Sequence, residues 1–478
     1  MKNDAADPIE KPDKSAELKA QAEALEDFAL RDDYALNPKF VAMVIEAADR
    51  SDGLRLRELL DALHYADIAD LMGFLSPDYR EEVIPWIPPD VLADVLSELD
   101  EGIREEVLEQ VAPDALAEAL QELDSDDQAD IVEDLEDDQR REVLAAMPES
   151  ERAAIETSLA YEEDSAGRLM QREVVAAPQF WTVGHTIDHL RGNDGDLPEL
   201  FFDIYVVDPA FKPVGAVPVS RLLRSKRDSQ LAEIMEPVTE IEVDLDQEDA
   251  AHIFEKYNLI SAPVVDAHGR LVGQITVDDI VSIIQEESQE DILALAGVSD
   301  IGRDAGVFGM MRSRFPWLVV NLGTALCAST VISAFQGEIE KLVALAVLMP
   351  VVASIGGNAG TQALAVAVRT LATREVNRSN VLRIVWREIR VGMMNGAAIG
   401  LALGGVAWLW KGDQGLSLVI GLAVLINLCA ASLAGTLMPL LLDKFGRDPA
   451  VASPVLVTWI TDTVGFLSFL GLAAVILF

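Results

Sequence analysis

Cysteine is nearly absent from this 478-residue chain: Cys327 and Cys429 both lie inside apolar runs. That excludes a disulfide framework and a thiolate metal site. Histidine is scarce too, with five in all. His185 and His189 stand four apart on an expected helix and read as a surface pair, not a ligand set. Basic residues are few before residue 303. The segment 303–478 holds 9 Asp/Glu and 13 Lys/Arg, which leaves 72 acidic and 24 basic residues in 1–302, for formal charges of +4 and −48. A field that negative repels nucleic acid and anionic lipid and concentrates small cations. No Gly-x-x-x-x-Gly-Lys phosphate loop occurs, so ATPase machinery is not expected. Met1–Glu17 lacks the apolar core of a cleavable signal peptide.

What the last third has in abundance is apolar length. Five stretches are long enough, at about 20 residues or more, to cross a bilayer as helices: Phe315–Phe335, Leu342–Val368, Val391–Trp410, Leu416–Leu442 and Val451–Phe478. Basic residues stay preferentially on the cytoplasmic side. Arg303, Arg312 and Arg314 precede the first stretch; Arg369, Arg374, Arg378, Arg383, Arg387 and Arg390 follow the second; Lys444 and Arg447 follow the fourth. The expected topology therefore puts the amino terminus inside the cell membrane and the carboxyl terminus outside.

Polar residues within these spans are the candidates for function. Span two contains Pro350, Gly356, Gly357, Asn358, Gly360, Thr361 and Gln362. Proline and glycine allow unwinding or close approach, and bared carbonyls are tolerated at membrane depth only against protein or water. The expectation is a broken or closely packed pore-lining helix that presents Gly357 and Asn358, with a plain helix contact as the alternative. Span five carries Asp462 near its middle. An ionisable group there marks an ion or proton path, or else a structural carboxylate bonded to nearby hydroxyls. Glu388, before span three, and Asn427, in span four, are further pore candidates.

In the acidic part, residues 64–147 repeat every 24 positions: Ile68, Leu92 and Leu116 correspond, as do Val83, Val107 and Ile131. That period suits stacked helical hairpins, with Pro77, Pro88, Pro89 and Pro113 at helix starts. From 163 to 288 short β-branched strands alternate with helices in two copies, clearest in Ile241–Val243, Ala262–Asp266 and Leu271–Thr276. These copies resemble tandem CBS domains, regulatory modules that often bind adenine nucleotides. The Gly-x-x-Ser/Thr-x-x-Asp element of such modules matches Gly273, Thr276 and Asp279; the first copy has Pro218 and Arg221 instead. An acidic amphipathic connector follows, with Asp278, Glu286, Glu287, Glu290 and Asp291.

Together these pieces resemble the MgtE family of magnesium channels, most specifically in Tyr161–Met170, Thr276–Asp279, Gly356–Gln362 and Thr461-Asp462. The implied fold is multidomain: a mobile acidic lead-in (1–40), an all-α superhelical N-domain (41–160), α/β tandem CBS domains (161–232 and 233–284), a connecting plug helix (285–312) and a five-helix α transmembrane domain (313–478). The resemblance implies a non-enzymatic homodimer in the lipid membrane, with a pore lined by spans two and five. It implies that Asp462 coordinates hydrated Mg2+ with Asn358 nearby. Regulatory Mg2+ would bind at Asp278, Asp279, Glu287, Glu290 and Asp291, and in the N-domain at Asp127, Asp130 and Asp134. Ser282 stands where relatives often have another acid. The expected cofactors are Mg2+ and an adenine nucleotide such as ATP. Uptake of Co2+, Mn2+ or Ca2+, or a non-conducting nucleotide sensor, is the alternative. Oxygen-only candidates suit a hard cation that keeps most of its waters.

Overall fold

The computed structural model describes Leu25 and residues 28–89, 91–192, 197–198, 200–298, 307–374, 376, 379–446 and 448–478. The lead-in up to residue 24, Arg303, Arg378 and Arg447 lie outside the described residues. The chain forms two compact units, the first running to Gln285 and the second beginning at Glu286.

The first unit opens with short helices: α1 (Pro38–Asp49), α2 (Gly53–Leu60), α3 (Tyr65–Phe74), α4 (Pro77–Val83), α5 (Leu92–Ser97), α6 (Glu101–Leu108), α7 (Pro113–Leu120), α8 (Ser125–Glu133), α9 (Asp137–Ala146) and α10 (Glu149–Ser158). The 24-residue repeat becomes the helix pairs α3–α4, α5–α6 and α7–α8. Its repeating positions supply the core: Ile68, Leu116, Val83, Val107 and Ile131 are all fully buried. Pro77 and Pro113 occupy the first turns of α4 and α7, where a missing N–H costs nothing. Pro88 and Pro89 instead sit in the turn ahead of α5.

The CBS module shows its duplication in its sheets. The first copy comprises α11 (Ala166–Leu169), β1 (Ala176–Pro178), α12 (Val183–Gly192), β2 (Asp203–Val207), β3 (Pro213–Pro218) and α13 (Val219–Arg224). The second comprises α14 (Leu231–Ile234), β4 (Ile241–Glu242), α15 (Gln247–Tyr257), β5 (Ser261–Val265) and β6 (Leu271–Thr276). Each sheet pairs its first two strands in parallel and its last two antiparallel, and each slips register at the end of the middle strand, at Val206/Val207 and Val264/Val265. The closing helix α16 (Val277–Leu295) then runs past Gln285 without proline or glycine.

The second unit contains α17 (Val307–Ala334), α18 (Gln336–Lys341), α19 (Ala344–Ala372), α20 (Val381–Lys411), α21 (Gln414–Lys444) and α22 (Pro449–Ile476). All but α18 are long and apolar enough to cross a membrane. Of the two forms expected for span two, broken or closely packed, α19 takes the second: it is one helix through Pro350, Gly356 and Gly357. Its small residues serve close packing. The same device joins α20 to α21, where Gly392, Gly396, Gly400 and Gly404, one turn apart, face Ser432 to Ser417 of the neighbour. Ser417 Oγ donates across this seam to the Gly404 carbonyl at 2.6 Å. Small residues let backbones approach where lipid offers no hydrophobic drive for association.

A Cβ at Gly400 would stand 2.5 Å from the Gly421 carbonyl oxygen, whereas one at Gly405 would meet nothing within 4 Å. Gly400→Val should therefore destabilise the full chain in detergent by about 1–3 kcal/mol. Gly405→Val should leave the melting curve nearly unchanged. Equal melting of the two variants would refute this account of the seam.

Candidate ion sites

The first site is built by α8 and the start of α16, both in the first unit. Backbone and side chains near Ser125 dock α8 onto the CBS module: Ser125 Oγ donates to Glu173 Oε2 at 2.8 Å and accepts from the Arg172 N–H at 2.8 Å. The adjoining Gln171 exchanges backbone hydrogen bonds with Gln274 of β6, whose side chain also donates to Gln171 Oε1 at 2.8 Å. Two residues beyond Gln274, the Thr276 hydroxyl donates to Asp279 Oδ2 at 2.8 Å. This relay of hydrogen bonds brings the acids of α8 up to Asp279.

The electrostatic result is strong mutual repulsion. Asp126 is 7% exposed and its Oδ1 has no hydrogen-bond partner among the described residues. Burial first, then the charges of Asp279, Asp127 and Asp124, push its carboxyl well above the usual range. Burial and Asp279 likewise raise Asp127 to about 7. Asp279 rises to about 6, through burial and the charges of Asp278 and Asp124, against the lowering effect of the Thr276 hydrogen bond. Low local polarity and like charges act in the same direction here.

Of the three acids expected from the superhelix, Asp127 belongs to this cluster and Asp130 bears on it, its charge also raising the Asp127 carboxyl. Asp134 pairs with Arg104 at 2.5 Å. Asp130 lies 3.8 Å from Arg168, whose guanidinium also pairs with Glu133. Asp126 and Asp124 were missed. The only signal for them was their place in the dense acidic run 124–138, and periodicity could not say which acids of α8 face the CBS module.

In the second unit, the last turns of α16 pack by Ala294 against Leu364 and Val368 of α19 and Ala450 of α22. Asp291 is half-buried, and its carboxyl is raised by burial, then by Asp448 and Glu287. Asp448 caps α22 by accepting from the Ala450 N–H at 2.7 Å and is a further acid that sequence reading overlooked. Glu290 is exposed.

Among the membrane helices, Gly360 of α19 meets Val457 and Thr461 of α22. Asn358 and Asp462 lie within two residues of this contact, Asn358 exposed and Asp462 half-buried. Thr361 Oγ1, on the same exposed face of α19, donates to the Gly357 carbonyl at 3.0 Å. Glu388 lies inside α20, with Arg387 at 3.4 Å.

The expected nucleotide residues lie at the end of β6 and the start of α16. A Cβ at Gly273 would stand 2.6 Å from the Gln171 carbonyl oxygen, so its missing side chain serves chain packing. Thr276 and Asp279 bind each other. A cavity of about 370 Å³ instead lies in the first copy, lined by Pro218, Ser220, Arg221, Arg224, Ser225 and Glu236, with Arg221 paired to Glu236. His185 and His189 both pack edge-on against Trp181, at 4.5 and 4.9 Å between ring centroids.

A helical superhelix, a duplicated CBS module and five membrane-length helices define a multi-pass divalent cation transporter. The divalent cation transporter model of MgtE matches residues 349–472, the MgtE intracellular N domain model 63–164 and the CBS domain model 231–286. The chain is 35% identical over 321 residues to the magnesium transporter MgtE of Enterococcus faecalis, covering 67% of this chain and 71% of that one. It is 34% identical over 330 residues to that of Thermus thermophilus, covering 68% and 73%. The crystal structure of the cytosolic domain of the Mg2+ channel MgtE in complex with ATP aligns at 34% identity and a TM-score of 0.47, covering 51% of this chain and 99% of that one. The chain belongs to the MgtE family.

The raised carboxyls have a defined consequence for stability. Their folded values of about 6 and about 7 for Asp279 and Asp127 lie above the unfolded value of about 4. The folded first unit thus binds more protons than the unfolded chain in this window. The stabilisation is fully present below about pH 4 and is lost as pH rises through about 6 to 7. Asp266, lowered to about 2 by hydrogen bonds from Arg270, titrates outside that window. Without divalent cations, the first thermal transition of the full chain should fall between pH 5.5 and 8, and Asp126→Asn should shrink that fall. A pH-independent transition would contradict the placement of these acids.

Proposed function

We propose that this protein is a Mg2+ channel of the cell membrane that conducts inward down the membrane potential and is closed by cytosolic Mg2+. The observation that carries the conduction reading is Asp462. It is a half-buried carboxylate in a membrane helix, without a hydrogen bond or ion pair to any described residue, beside the exposed Asn358. A structural carboxylate would be bonded to its neighbours. An intramembrane acid without a partner is poised for an ion.

The conducting unit is a homodimer in this reading, with the exposed polar face of α19 and Asp462 of α22 lining the path in both copies. Among the described residues no three His, Cys, Asp or Glu side chains stand close enough to hold one metal ion directly. An ion meeting Asp462 therefore keeps much of its hydration shell, the habit of Mg2+ more than of Ca2+. The potential contributes about 2.3 kcal/mol per charge per 100 mV, enough to drive entry without ATP hydrolysis. The amino terminus lies in the cytoplasm, following the basic loops.

Gating in this proposal rests on the acids outside the membrane. Asp124, Asp126, Asp127, Asp278 and Asp279 present oxygen donors only, and the unpartnered Asp126 Oδ1 fits a hydrated divalent cation. A bound cation supplies the positive charge that the cluster lacks. Neutralised, α8 and the start of α16 hold together; unneutralised, they repel. Glu287, Glu290 and Asp291 on the later turns of α16, with Asp448 beside them, form the corresponding acidic group next to the pore helices.

Two measurements in proteoliposomes test the two halves. Asp462→Ala should abolish most Mg2+ entry in vesicles holding equal amounts of folded protein, and unchanged entry would remove Asp462 from the path. Combined neutralisation of Glu287, Glu290 and Asp291 should leave entry intact but no longer suppressed by high Mg2+ on the cytoplasmic face. Retained suppression would overturn the gating half alone.

A further inference from the structure

Asn427 of α21 is fully buried in the second unit. Its Nδ2 donates to the Val352 carbonyl of α19 at 3.0 Å. Its Oδ1 is equally buried and has no hydrogen-bond partner among the described residues. The side chain fills space that two glycines on two other helices leave open. A Cβ at Gly356 of α19 would run into the amide, and one at Gly465 of α22 would stand 2.8 Å from Nδ2. One polar side chain of α21 is thus wedged between α19 and α22.

One helical turn away, the same two helices meet again, where a Cβ at Gly360 would stand 3.3 Å from Thr461 Cγ2. The two contacts bracket residues 356–360 on α19 and 461–465 on α22. Asn358 and Asp462 fall inside these brackets, each within about 5 Å of axial rise from the Asn427 wedge. Stability does not explain the residue. A buried acceptor without a partner is a standing cost that an alanine would not carry. What the amide provides is direction: one hydrogen bond at one height along α19 specifies register, as apolar packing does not.

We propose that Asn427 is a positioning residue of the conduction pathway. It sets the axial register of α19 against α22 and so holds Asn358 and Asp462 at one depth, without itself meeting the ion. The inference rests on the reading of Asp462 as a pore residue.

The test uses the full chain in proteoliposomes, with Mg2+ entry normalised to folded protein and the half-saturating Mg2+ concentration measured alongside. Asn427→Ala should melt within a few degrees of the parent but lower entry roughly three- to tenfold, the factor of an interhelical hydrogen bond in a bundle, and shift half-saturation. Gly356→Ala, which drives a methyl group into the wedge from the other side, should do the same. The double variant should recover part of the loss, because the new methyl occupies the vacated space. Loss of entry through poorer folding alone would appear in melting and yield and leave half-saturation unmoved, and that result overturns the proposal. Unchanged entry in Gly356→Ala does so too, whether or not Asn427→Ala folds. Asp462→Ala in the same vesicles separates the two readings. If it abolishes entry while the Asn427 and Gly356 variants conduct normally, only the positioning role fails; if it conducts normally, the pore reading and this inference fall together.

Discussion

The first unit depends on repulsion between carboxylates held together by hydrogen bonds. Asp126, Asp127 and Asp279 are not drawn to one another. They are brought together by Ser125, Gln171, Gln274 and Thr276, of which Ser125 donates to the Glu173 carboxylate and Thr276 to that of Asp279 itself. The scaffold makes the apposition possible, and the charges make it conditional. A few residues along α8 the balance reverses, because Arg104 and Arg168 answer Asp134, Asp130 and Glu133. The same helix is thus anchored at its carboxyl end and left uncompensated at its amino end. Surplus negative charge spread over a solvated surface would be weakly felt, since water and salt screen it. Confined at a buried junction it becomes responsive to small cations and protons.

The membrane unit solves the opposite problem. Lipid provides no hydrophobic gain for bringing helices together, so contact must come from shape and from scattered polar groups. The ladder from Gly392 to Gly404 brings α20 onto α21, and Gly356, Gly360 and Gly435 bring α19 onto its neighbours. Pro350 does not break α19, although it lies on an exposed side of the helix. The polar residues then divide by burial. Asn427, Ser432, Thr436 and Thr461 are sealed in helix contacts, while Asn358, Thr361 and Gln362 remain on an exposed face.

Much of this was legible in the residues before any coordinates. Apolar length gave the membrane helices, the 24-residue repeat gave the paired helices of the superhelix, and alternation of β-branched residues gave the second sheet within a residue or two, but not β1 of the first. These features depend on local periodicity, and periodicity is written along the chain. The partners of individual acids were not legible. Asp126, Asp127 and Asp130 lie within five residues and are chemically equivalent in sequence, yet one is orphaned, one faces Asp279 and one answers Arg168. That division is decided by how α8 docks on a module forty residues away. The same limit applies to Gly273, whose absent side chain makes room for the Gln171 carbonyl, and to Asn427, whose burial between three helices no single helix pattern displays.

The helix α16 gives these local facts a common direction. Asp278 and Asp279 occupy its first turn, where the helix dipole favours negative charge. Glu287 and Asp291 follow two to four turns later, and Ala294 beyond them is buried against α19 and α22. Within the proposed function this ordering explains why the acids outside the membrane can be numerous and redundant, whereas the acid inside it is single. Sensing can be shared among many weak ion contacts, but each added charge at membrane depth carries its own desolvation cost.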